Sequence, residues 1–162
     1  TQSNPRGGIP VAFRKDAGGK QQFIERLGQI AQEAGLTRIA GQIWAALVVS
    51  DGPVSAAELV ETLHISKGSL CTNIRILELM GIVERRSVPG ERQDYFAMQD
   101  NPYGALVELQ IKRFEKAVAV VSEARSSIRG KQASKKLAEL EFFYSLYRSS
   151  SMDLLREMEA QK

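Results

Sequence analysis

One cysteine and one histidine serve a chain of 162 residues. A lone cysteine cannot close an internal disulfide, which fits a reducing compartment. One histidine and one cysteine also cannot assemble a tetrahedral zinc site without many carboxylates, so metal sensing is not expected. No apolar run approaches the roughly 18 residues that a membrane-spanning helix needs. The opening residues show no charged start followed by an apolar stretch, and no secretion signal is expected from them. A glycine-rich phosphate loop is missing, and neither His64 nor Cys71 stands in a recognisable constellation with a base or a nucleophile. These absences together predict a cytoplasmic chain that is not an enzyme and holds neither metal nor cofactor.

What is present is ordinary in amount and informative in placement. An apolar fraction of 43% suffices for a core, and 25% charged residues is usual for a folded domain. The net charge of +3 lies in the first twenty residues, where Arg6, Arg14, Lys15 and Lys20 face Asp16 alone. The remainder is neutral, so bulk charge is no argument for a nucleic-acid partner. Pro5, Pro10 and several glycines in 1–20 read as a flexible basic tail, either an arm that follows DNA or a leader without a role.

Helical periodicity begins near residue 21, with Phe23, Leu27, Ile30 and Ala34 on one face. Gly35 ends that helix as a left-handed cap. Thr37 caps the next helix, whose apolar face is Ile39, Ile43, Ala46 and Leu47. Asp51-Gly52-Pro53 is a turn. Ser55 and Glu58 form a capping box that opens a short helix through Leu59, Val60 and Leu63. His64 closes it, where a cation suits the helix dipole. Ser66 then caps a further helix that Gly81 terminates, and two short helices joined by such a turn are the helix-turn-helix plan. The alternation over Ile82–Arg86 and Arg92–Met98, about Pro89-Gly90, predicts a two-stranded ribbon. After Asn101-Pro102 the chain is helical again. Val107, Ile111, Phe114, Val118, Val121 and Ile128 form one seam, and Leu137, Leu140, Tyr144, Tyr147, Leu154 and Met158 another, with Gly130 between. Helices of that length with so much apolar face ask for a partner.

The expected fold is therefore mainly α with a small β-hairpin wing: a winged helix-turn-helix plus long dimerisation helices. Three segments are expected: a tail at 1–20, a winged helix-turn-helix with an N-terminal helix at 21–101, and a helical dimerisation region at 102–162.

The stretch SKGSLCTNIRILELMGIVER, followed by GERQDYF at the wing, resembles the GbsR-like branch of the MarR-type regulators. The resemblance extends over everything after the tail. It implies a homodimer whose winged domains each read one half-site of double-stranded DNA, a repressor of transcription, and in some relatives a response to choline-like ligands.

The residues themselves sustain a compatible reading. In the helix opened by Ser66, the inward stripe is Leu70, Ile74 and Leu77. Lys67 and Gly68 stand at its exposed start, with Ser69, Thr72 and Asn73 on the opposite side, the geometry of a recognition helix entering the major groove. Serine and threonine hydroxyls serve base edges or phosphates, and Asn73 suits bidentate pairing with adenine. Gly68 lets a phosphate approach the helix start. Arg75 at the flank suits a phosphate, and Arg85, Arg86 and Arg92 around the wing suit the minor groove. The plainer alternative is a solvated polar face, with Asp94 pairing Arg92, on a winged-helix scaffold that binds only protein. Cys71 reads as a small packing residue, with a redox switch that would distort the reading helix as the sharper alternative. Trp44, Phe114, Tyr144 and Tyr147 are the aromatics that would cage a quaternary ammonium effector, against the alternative of ordinary core positions.

Overall fold

The computed structural model describes residues 17–161; the basic segment before them, with its arm-or-leader alternatives, lies outside the described residues. The chain divides into two compact units, Thr1–Pro102 and Tyr103–Lys162. The first holds α1 (Ala17–Glu33), α2 (Arg38–Val48), β1 (Val54–Ser55), α3 (Ala56–Leu63), α4 (Lys67–Leu79), β2 (Val83–Arg86) and β3 (Tyr95–Met98). The second is built from α5 (Pro102–Ser127) and α6 (Lys131–Ala160).

Helix α1 starts at Ala17, so the last residues assigned to the tail by sequence are helical. Gly18 and Gly19 sit in its first turn with open space around them, where glycine's cost is smaller than in a helix interior. At the other end Gly35 takes φ +91° and the Leu36 N–H donates to the Ala31 carbonyl oxygen at 2.9 Å, closing the helix as a left-handed cap.

The buried face of α1 is Ile24, Gly28 and Ala31, not the stripe of Phe23, Leu27, Ile30 and Ala34 that periodicity favours. The reason is a close crossing. A Cβ added to Gly41 of α2 would stand 2.9 Å from the Gly28 Cα and 3.0 Å from the Leu27 carbonyl oxygen, so the two backbones touch and only small residues fit between them. Bulky apolar side chains are turned away from this crossing, leaving Phe23 38% and Ile30 59% exposed.

The helix-turn-helix follows the cap signals. The Ser55 hydroxyl accepts from the Glu58 N–H at 3.2 Å while the Glu58 carboxylate accepts from the Ser55 N–H at 3.0 Å. His64 takes the left-handed conformation at φ 53° and its N–H reaches the Val60 carbonyl. Ser66 caps α4 by accepting from the Ser69 N–H at 3.1 Å. Leu59, Leu70, Ile74, Leu77, Ile82, Val83 and Phe96 close the core against Ile43 and Leu47 of α2.

The wing differs from a two-stranded ribbon. β1 adds a third strand, giving the order β1-β3-β2, with Val54 opposite Phe96 and Arg85 opposite Phe96 on the other side. The two-residue β1 lies beside the capping box, too short for any period to reveal it. Strand β3 begins at Tyr95, so Arg92–Asp94 belong to the loop.

In the second unit, Gly130 at φ +125° separates α5 and α6, helices of 26 and 30 residues. Phe114, Val121 and Ser151 are buried between them, and Arg125 pairs with Glu141. The single seam expected on α6 resolves into two. Of Leu137, Tyr144, Ser151 and Met158, seven residues apart, Ser151 is buried and the others half-buried, whereas Leu140, Tyr147 and Leu154 remain 39%, 51% and 49% exposed. In heptad terms one core position is the better covered within the hairpin, and the other keeps its outer side open even though Tyr147 touches Phe114.

Candidate nucleic-acid interface

Helix α4 presents a continuous outer face. Lys67, Gly68, Cys71, Thr72, Arg75 and Leu79 are all exposed, and Lys67, Cys71, Arg75 and Leu79 follow one another at four-residue steps along one side. No acid stands on this stripe, and among the described residues Lys67 and Arg75 have no ion-pair partner. At the start of the helix Ser66 is exposed but its hydroxyl is engaged as the cap, and Ser69 is half-buried. The space around Gly68 is open apart from the Ser66 Oγ at 3.9 Å from a would-be Cβ, leaving the backbone accessible at the positive end of the helix. Thr72 is exposed, and its hydroxyl donates back to the Gly68 carbonyl oxygen at 3.0 Å, which leaves the oxygen as an acceptor.

Asn73 is the main correction on this helix. Its side chain is not on the outer face: it is 5% exposed. Its Nδ2 donates to the Ser69 carbonyl oxygen at 2.8 Å and its Oδ1 accepts from the Thr37 hydroxyl at the start of α2. Both ends of the amide are occupied, so bidentate pairing with adenine would require both bonds to break. The helical angle puts residue 73 at the edge of the inward stripe, and the cap of α2 draws it in.

Cys71, read by sequence as a packing residue, is exposed and lies on the open stripe. The sequence signal was there in its spacing, four residues from both Lys67 and Arg75.

The wing arginines are not equivalent. Arg85 is held by Asp94 at 3.0 Å and by Glu78 at 3.6 Å, with its guanidinium carbon 5.5 Å from the Phe96 ring centroid. Arg86 pairs with Glu84 at 2.5 Å. Asp94 therefore engages Arg85 and not Arg92, because Arg92 lies in the loop beyond the strand register. Arg92 is exposed beside Gly90, whose φ of +86° shapes the tip, and it has no ion-pair partner among the described residues.

The four aromatics do not form a cage within either unit. Trp44 lies half-buried on α2, in the first unit. Phe114, Tyr144 and Tyr147 are in the second, where Phe114 packs on Tyr147 at 4.7 Å and on Tyr144 at 6.0 Å between ring centroids. Rings at van der Waals contact leave no room for an ammonium between them. Phe143 joins this cluster, 5.4 Å from Tyr144 and 5.6 Å from Tyr147. A cavity of about 350 Å³ in the second unit is floored by Ile111, Met152 and Leu155, and none of the four aromatics lines it. Among the described residues no group of three or more His, Cys, Asp or Glu could hold a metal ion. Among the described residues no helix is long and apolar enough to cross a membrane.

Comparison with known proteins agrees with this geometry. Residues 34–94 match the model of the MarR family. An HTH-type transcriptional regulator, MmpR5 of Mycobacterium tuberculosis (strain ATCC 25618 / H37Rv), is 36% identical over 85 residues, 52% of each chain. The chain thus spans about half the length of this curated relative. A crystal structure of a transcriptional regulator superposes with a TM-score of 0.76 at 26% identity, covering 89% of this chain and 99% of that one. Two cap-delimited helices, a strand-flanked wing and these similarities point the same way: the winged helix-turn-helix at residues 34–94 is similar to that of the MarR family.

Proposed function

We propose that the chain is a sequence-specific, double-stranded DNA-binding transcriptional regulator that acts as a homodimer. The observation that carries the reading is the open outer face of α4, on which Lys67 and Arg75 have no competing acid and the helix start is accessible. A helix of 13 residues presented in this way fits the major groove N-terminus first. Lys67 and Arg75 would contact phosphates, Thr72 and Ser69 base edges, and the Gly68 backbone a phosphate near the helix start. Arg92 at the wing tip would reach the adjacent minor groove. Arg85 and Arg86 hold the wing in shape and contribute less to DNA contact.

The exposed heptad position on α6 supports the dimer. Leu140, Tyr147 and Leu154, with Phe143 beside them at 49% exposure, form an apolar face of the kind that a second subunit covers. Two heads then double every phosphate contact, which matters because each head carries few spare cations. The finer assignments, a GbsR-like member and a repressor, rest on SKGSLCTNIRILELMGIVER and GERQDYF alone. A quaternary ammonium effector is left without support from the packed aromatic cluster.

Selection from a random duplex library tests the reading. Enrichment of a pseudo-palindromic site, with half-sites about one helical turn apart and binding that weakens steeply with salt, is the expected result. Failure to enrich any duplex by a protein that sediments as a folded dimer would favour a winged helix that binds only protein. Sedimentation of a Tyr147→Asp, Leu154→Asp variant should show a monomer whose DNA binding is lost.

A further inference from the structure

Asn73 carries more connections than a groove-facing side chain would have. Its Oδ1 accepts from the Thr37 hydroxyl, and its Nδ2 donates to the Ser69 carbonyl oxygen at 2.8 Å. The same Thr37 oxygen accepts from the Ala40 N–H at 3.0 Å. Thr37 is therefore both the cap that starts α2 and the peg that holds α4. The contacts continue into α1. Glu25 pairs with Arg38, the first residue of α2, and accepts from the Gln42 Nε2 at 2.9 Å. One turn further along, α1 and α2 meet backbone to backbone at Gly28 and Gly41. A touching helix crossing has no slack for either helix to slide, and a buried amide with both ends bonded has a single orientation. α1, α2 and α4 are in this sense one block.

We propose that Asn73 is a positioning residue for DNA recognition: it sets the rotation of α4 against the cap of α2 and, through Glu25 and Arg38, makes α4 move with α1. This rests on the DNA-binding reading above. Direct contacts fall to the outer stripe, and Asn73 acts on them only through the angle at which that stripe is held. A displacement of α1 consequently reaches α4 without passing through the wing.

Four variants separate positioning from base contact. Thr37→Asp keeps a capping acceptor but lacks the hydroxyl donor, Thr37→Ser keeps both, Asn73→Leu removes the amide, and the fourth combines T37D with N73L. Affinity for the selected duplex is measured well below the melting midpoint of the least stable variant, together with base preference at every site position. T37D is expected to weaken binding about tenfold, the worth of one part-buried hydrogen bond, and N73L, which loses two, at least as much. T37S should match the wild type, the double variant should be no weaker than the worse single one, and base preference should be unchanged. Without DNA, amide exchange in the first two turns of α4 should rise about tenfold in T37D and N73L but not in T37S.

Altered preference at one base pair in N73L, with T37D unaffected, would overturn the proposal in favour of direct readout by Asn73. Wild-type binding that depends on Lys67 and Arg75 but ignores both T37D and N73L would overturn it while leaving the DNA-binding reading intact. Unchanged exchange in α4 would overturn it whether or not DNA binds. If the wild type selects no duplex, the DNA-binding reading fails and takes this proposal with it.

Discussion

The outer face of α4 and the wing both carry cations, and they hold them differently. On α4, Lys67 and Arg75 stand four residues either side of Cys71 with no carboxylate on the stripe. On the wing, Asp94 and Glu78 of α4 bracket Arg85 and Glu84 holds Arg86, leaving Arg92 at the tip without an ion-pair partner among the described residues. A guanidinium already bonded to carboxylates must exchange partners to meet a phosphate, so its net gain on binding is small. The lesson is that affinity for a polyanion follows the number of uncommitted cations on a shaped surface, not the formal charge. The winged region 66–99 is nearly balanced in sign, yet three of its four acids lie on the wing and the fourth, Glu78 of α4, pairs with Arg85.

Substitutions that change one region and spare the other sharpen this contrast. The largest effect is expected from K67A combined with R75A, which should weaken duplex binding by about a hundredfold at physiological salt and reduce the salt slope by about two per head. Equal loss from R85A with R86A would erase the distinction. R92A should cost about fivefold to tenfold and lower the slope by about one per head, with a loss concentrated on sites whose flanking minor groove is narrow. For R85A and R86A, the expected loss of affinity is no more than about threefold. Each should also lower stability by less than about 1 kcal/mol, since their pairs are half-exposed, as measured by denaturant midpoint. E84Q, the smallest perturbation, frees Arg86 and should strengthen binding by no more than about twofold.

The same contrast explains what could be read in the sequence. Caps are local chemistry, so Thr37, Ser55 with Glu58, Ser66 and Gly35 were legible from neighbouring residues, and with them the order of helices. The inward stripe Leu70, Ile74 and Leu77 was legible from period alone. What escaped depends on distant partners. Asn73 sits at an angular boundary between core and surface, and only Thr37, 36 residues away, decides its side. Glycines at 28 and 41 turned α1 by one position about its axis, something a pattern of bulky residues does not encode. The pairing of Asp94 with Arg85 instead of Arg92 required the strand register. Strand β1 was invisible at two residues. On α6 both apolar heptad positions were visible, but not which of them the neighbouring helix would cover.

Cys71 offers the most direct test of the central claim, that the outer face of α4 is the surface that meets DNA. It is the only cysteine in the chain, it is exposed, and it lies between Lys67 and Arg75. Its alkylation by a small maleimide can be timed in the free protein and at saturating selected duplex. The account predicts at least about a tenfold slowing in the complex, because a helix in the major groove excludes reagent from its outer face, and recovery of the free rate when salt dissociates the DNA. An alkylation rate unchanged in a complex shown to be fully bound would contradict it.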